Sequence, residues 1–200
     1  MRGMKKLMLA AVGLTGILAS CGSFGAAPDG TNAVMRKVTT EYKIAGTDPA
    51  RFVGCDRITN PTDGRATDTQ VVVNFTAAGN LSKVDVAIVG ASGTKKTQTI
   101  QAADLKKNAN NDYQAIFEFK SASNDLIPAS IIVSPNPQFR EPRNVTVDGR
   151  DRVGSFHAEI LVYTTGGDTF PITSKNLGSD GNIDVYSKCT LASTAQPLSQ

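Results

Sequence analysis

An all-β protein, built as a single antiparallel β-sandwich, is what this sequence predicts, on three observations. Apolar and polar residues alternate at period two over short stretches rich in Val, Ile, Thr and Phe. Gly, Asn, Asp and Pro interrupt those stretches at close intervals. Only residues 102–107 invite helix, and for no more than a turn or two.

Taken in order, residues 42–44 and 52–55 open the set of strands. The runs at 71–75 and 84–89 flank Gly79-Asn80, a dipeptide suited to a tight turn, and so predict a hairpin. An alternating strand over 113–119 follows an Asn-rich loop. Strands at 130–133 and 144–147 are separated by a connection holding Pro135, Pro137 and Pro142. Phe156, Ala158, Ile160 and Val162 share one face of a long strand, which turns at Gly166-Gly167 into residues 169–172. Residues 182–187 close the set. Roughly ten strands punctuated this way fit a sandwich. Residues 100–119, with Leu105, then Asp112-Tyr113, then alternation, resemble the corner before strand F of immunoglobulin-like domains. The resemblance implies a Tyr hydroxyl tied to nearby backbone; the Cys and Trp of antibody domains are missing. It speaks for architecture and not for function.

The amino end has a different character. Arg2, Lys5 and Lys6 precede an apolar run over residues 7–19. A spanning helix needs about 20 apolar residues, so this run is too short to remain an anchor. It ends in Leu18-Ala19-Ser20-Cys21, which resembles a bacterial lipobox. The resemblance implies that residues 1–20 are removed as a signal peptide and that Cys21 carries a diacylglyceryl group, with its new amino group open to acylation. Each buried CH₂ adds roughly 0.8 kcal/mol of membrane affinity, so two or three chains hold a protein permanently. Gly22 stands where inner-membrane lipoproteins of this kind often have Asp, which points to the outer membrane. Residues 21–37 then read as the lipidated Cys and a flexible tether, 38–190 as the sandwich, and 191–200 as a disordered tail.

Charge narrows the partners. Residues 1–20 hold three of the 21 Lys and Arg and none of the 18 acids, so the remaining chain is neutral. A neutral body argues against nucleic acid, or anionic lipid, as its main partner. Export also frames the cysteines. With Cys21 lipidated, Cys55 and Cys189 remain; they either pair or stay as two buried thiols. Val53 and Cys55 share a face, as do Ile183, Val185 and Cys189, so both thiols can point inward.

Catalytic machinery is hard to find. His157 is the one histidine, and it falls out of phase with the apolar face of its strand. No His pair is present to hold zinc or copper, and no cofactor or metal site is expected. Gly90-Ala91-Ser92-Gly93 lacks nucleophile-elbow spacing, and the Gly90 to Thr97 stretch lacks that of a phosphate-binding loop. Asp180-Gly181-Asn182-Ile183-Asp184 begins like a calcium loop but has Val185 and Leu191 where Gly and Glu are needed. A turn before a strand explains it better.

Arg140, Arg143, Arg150 and Arg152 form the densest cationic group, interleaved with Glu141, Asp148 and Asp151. They read either as a self-compensated surface or as a docking site for a partner protein or acidic glycan. The expected function is that of a lipid-anchored envelope protein, not an enzyme, whose sandwich binds or scaffolds another envelope macromolecule, such as a surface-layer or outer-membrane assembly. A small-ligand or glycan-binding lipoprotein is the alternative, although the chain has no Trp on which sugar rings could stack. A hydrolase using carboxylates or a Ser-Lys pair is the second alternative.

Overall fold

The computed structural model describes residues 24–60, 63–66, 69–91, 93, 95–122, 125–132 and 139–192. The segment expected to act as a signal peptide, Cys21, Pro135, Pro137 and residues 193–200 lie outside them.

The described chain is all-β, its only helical pieces being three short 3₁₀ turns. In chain order the strands begin β1 (Phe24–Ala26), β2 (Asn32–Thr40), β3 (Tyr42–Ile44), β4 (Val53–Cys55), β5 (Arg57–Asn60) and β6 (Asp63–Ala66). They continue with β7 (Thr69–Ala78), β8 (Leu81–Gly90), β9 (Lys95–Gln101), β10 (Lys106–Lys107), β11 (Tyr113–Ala122) and β12 (Asp125–Ile132). The last are β13 (Arg143–Thr146), β14 (Arg152–Thr164), β15 (Thr169–Thr173), β16 (Asn182–Tyr186) and β17 (Cys189–Leu191).

Two large sheets face each other. The first runs β1-β2-β7-β11-β10, with β12 also on β11; the second runs β4-β16-β14-β8-β9, with β15 also on β14. Their inner faces supply one apolar core, in which Met35, Val73, Phe75 and Phe117 of the first sheet meet Val86, Ile88, Phe156 and Ile160 of the second. The period-two pattern dictates this: every second residue of β14, from Phe156 to Val162, is buried. A third sheet, β3-β13-β17-β5-β6, closes one side over a smaller core of Tyr42, Val53, Ile58, Val145 and Leu191. Most pairs are antiparallel, but β3 with β13, β4 with β16, and β5 with β17 are parallel.

Cys55 on β4 and Cys189 on β17 form a disulfide between the second and third sheets, 134 residues apart in sequence. Closing a loop of that length stabilises by at most roughly 5 kcal/mol in the chain-entropy model. The inward parity expected of both residues holds, since each is only 1% exposed.

Three expectations need correction. Gly79-Asn80 does not make a hairpin: β7 pairs with β2 and β11, while β8 pairs with β14 and β9. The turn carries the chain over the rim from one sheet to the facing one. Gly79 is required there, because its φ is +93° and a Cβ would lie 2.7 Å from the Thr31 Cα. The tether expected over 21–37 is already folded from Phe24 onward, in β1 and β2. Alternation is hidden in β2 because a bulge at Arg36 shifts the buried set from Ala33 and Met35 to Val38. The expected tail begins too early, since Leu191 is 4% exposed and belongs to the small core.

Two further local readings agree with the structure, but the described contacts of the corner before β11 do not include the expected tie from a Tyr hydroxyl to backbone. Residues 102–104 form a 3₁₀ turn, and Gly166-Gly167 lies in the β14–β15 hairpin. The corner before β11 is held by Asn108, whose Oδ1 accepts from the backbone N–H of Asn110 and Asp112, both at 2.9 Å. The Tyr113 ring stacks on Phe75 and lies beneath the Lys107 ammonium.

Candidate functional site

The structure divides the four arginines into separate ion groups. Arg140 and Arg143 turn toward Glu41, whose side chain is fully buried where the first sheet meets the third. Arg140 Nη1 lies 2.9 Å from Glu41 Oε1, and Arg143 Nη2 lies 3.0 Å from Oε2. Arg140 also pairs with Glu118, and its backbone N–H donates to Gln70 Oε1 at 2.8 Å. Burial opposes the charge on Arg140, but Glu41 and Glu118 outweigh it and raise its affinity for the proton. The Gln70 N–H donates to Glu41 Oε1 at 2.9 Å, and the Arg143 guanidinium lies over the Tyr42 ring. Reversing Arg140 and Arg143 would break this cluster before it reached any partner.

Arg150 and Arg152 lie elsewhere. Arg150 is exposed and bonded to Asp148, whose carboxyl it holds below the ordinary range. Arg152 shares Asp184 with Arg51. Asp184 is thereby committed to arginines, and Asn182 Nδ2 donates to the Lys175 and Gly178 carbonyls. The Asp180–Asp184 segment is thus a bonded turn leading into β16. Among the described residues no group of three His, Cys, Asp or Glu side chains converges as metal ligands would.

A more open site lies on the outer face of the second sheet. Residues opposite in register make a row across four strands: Thr97 on β9, Ala87 on β8, Glu159 on β14 and Thr173 on β15. The adjoining row is Thr99, Asp85, Leu161 and Pro171. Because their neighbours along each strand point into the core, these side chains must point out. All but Thr99 line a groove of 430 Å³, which Lys95 also borders. Ala87, Leu161 and Pro171 give it an aliphatic surface, bordered by charges of both signs.

The groove's polar groups are held in place. Asp85 accepts hydrogen bonds from Tyr163 Oη at 2.7 Å and Thr99 Oγ1 at 2.6 Å. Burial pushes this carboxyl up, but those bonds and the Lys83 charge outweigh it, so it sits below the usual range. The same bond to Asp85 pushes the Tyr163 hydroxyl up. His157, expected off the apolar face, does lie on this outer side, with Nε2 3.5 Å from Glu159 Oε1. The sequence did not single out Asp85, Glu159 or Tyr163; the outward parity of β8 and β14 was the one signal that could have.

Fold and site together define a disulfide-stapled all-β protein with an open, fixed groove. Comparison with protein-family models, curated proteins and solved structures gives no match to the chain.

Proposed function

We propose that this chain is a lipoprotein of the cell envelope, exported by a signal peptide over residues 1–20 and held at the outer membrane through Cys21. Its sandwich is non-catalytic and binds another envelope macromolecule, most simply a protein, in the outer groove of the second sheet. The observation that carries this reading is the groove itself: an aliphatic floor, fixed polar groups and no aromatic ring among its described lining residues. Aliphatic contact with a mixed-charge rim suits an extended protein segment, whereas sugar rings favour aromatic platforms. The buried disulfide supports export, since such bonds persist in oxidising compartments.

A photo-crosslinker at Leu161, in living cells, tests the reading. One specific envelope protein should be trapped there and not by the same crosslinker at Asp104, on an exposed turn. Trapping of lipid alone, or of the same neighbours at both positions, would reject it. A small-ligand role is the second reading, favoured by the groove's volume, which lies in the range that small molecules occupy. Its mark would be a discrete small molecule retained by the native protein and lost on Leu161→Arg.

A further inference from the structure

The amino-terminal strand and its neighbour β2 carry an exposed aromatic and two cations close in sequence to the proposed lipid anchor. Phe24 is 60% exposed and opens β1, the edge strand of the first sheet. It pairs with Val34, and both precede the β2 bulge, where Arg36 and Lys37 are consecutive exposed residues. The bulge creates this pair: it inserts an extra residue between inward Met35 and inward Val38, so two side chains face outward where a regular strand would present one.

Resting on the lipoprotein reading above, we propose that Phe24, Arg36 and Lys37 form the membrane-apposed patch of the protein, the ring entering the interfacial layer and the cations binding lipid phosphates. Cys21 lies three residues before Phe24 in sequence, which limits its reach to about 10 Å. Chains buried at Cys21 therefore bring this edge of the sheet to the head groups. Aromatic rings favour that layer, and exposed Lys and Arg near an anionic leaflet add to the attraction. A neutral body gives no membrane binding of its own; acylation supplies it, and the patch sets the orientation. The outer face of the second sheet, with its groove, is then turned away from the lipid.

The chain has no Trp, so a substituted one reports alone. Full-length lipidated Phe24→Trp, reconstituted in vesicles of phosphatidylglycerol and phosphatidylethanolamine with brominated acyl chains, should show blue-shifted and strongly quenched emission. Ala26→Trp, on the same outward face of β1, should be quenched as well. Leu161→Trp, on the opposite sheet, should not. Adding Arg36→Gln and Lys37→Gln to Phe24→Trp should lower the ratio of apposed to detached protein about five-fold per cation. Mass analysis of the same preparations separates the two ideas. An unacylated Cys21 would overturn the lipoprotein reading and this orientation with it. Acylated Cys21 with an unquenched Trp at position 24, or with equal quenching at 24 and 161, would overturn the orientation alone.

Discussion

The core between the two large sheets gathers Phe75, Phe117, Phe156 and many aliphatic side chains, and has no covalent crosslink. The core under the third sheet holds Tyr42, Ile58, Val145 and Leu191 around a disulfide, with the buried Glu41 cluster on its flank. The difference is one of scale. A large interior is stabilised by apolar burial at about 25 cal/mol per Å², whereas a small one buries too little and needs a staple. At the junction, paired charges replace apolar packing, and a buried ion pair adds little net stability over apolar side chains of similar volume.

The sharpest break in that comparison should come from Phe117→Ala, whose side chain is 1% exposed. It should cost about 4 kcal/mol in denaturant unfolding, because the cavity lies where no crosslink compensates. Glu41→Ala should follow at about 3 kcal/mol. It leaves Arg143 buried without its carboxylate, and Arg143 Nη1 already has no hydrogen-bond partner among the described residues. Replacing Cys55 and Cys189 together with Ala should cost about 2 to 3 kcal/mol. Hydrogen exchange should then rise first in β5, β13 and β17, leaving β8 and β14 protected. Uniform loss across all sheets would show that the two cores unfold as one.

Asp56 gives the smallest and most pH-specific effect. It follows Cys55 at the crossing from the second sheet to the third, and its Oδ1 is buried without a hydrogen-bond partner among the described residues. Burial pushes its carboxyl from 3.8 up to about 6. The folded state therefore holds this proton more tightly than the unfolded chain. That contribution is fully present below about pH 4 and lost as pH rises through about 6. After allowance for solvent screening, Asp56→Asn should gain about 1 kcal/mol at pH 8 and nothing at pH 4. A melting series across that range checks the sign.

Much of the large core was legible in the sequence because its strands alternate without interruption: β14 and β8 were evident from parity. What was hidden had physical causes. The bulge in β2 disguised its phase. The edge strand β9, Lys95–Gln101, is mostly polar and has little reason to alternate with one edge unpaired. Gly79-Asn80 fits a hairpin and a sheet-to-sheet crossing equally well, since both need a tight turn. The groove was less legible than the fold, because it depends on the register between β8, β9, β14 and β15, which local sequence does not contain. Arg140 and Arg143 stood out as a charged pair, but their partner Glu41 lies about a hundred residues away.

Gly25 has a bearing on solubility. A Cβ at this position would sit 2.2 Å from the Phe170 ring, so only glycine lets β1 lie flat over β15. Phe170 is 6% exposed with that lid in place. Bulk at position 25, or proteolytic trimming up to Ala27, would lift the cover and bare a phenylalanine beside a newly unpaired β2. Sticky rings next to free strand edges seed self-association, so trimmed or Gly25→Val protein should precipitate on concentration well before its large core melts.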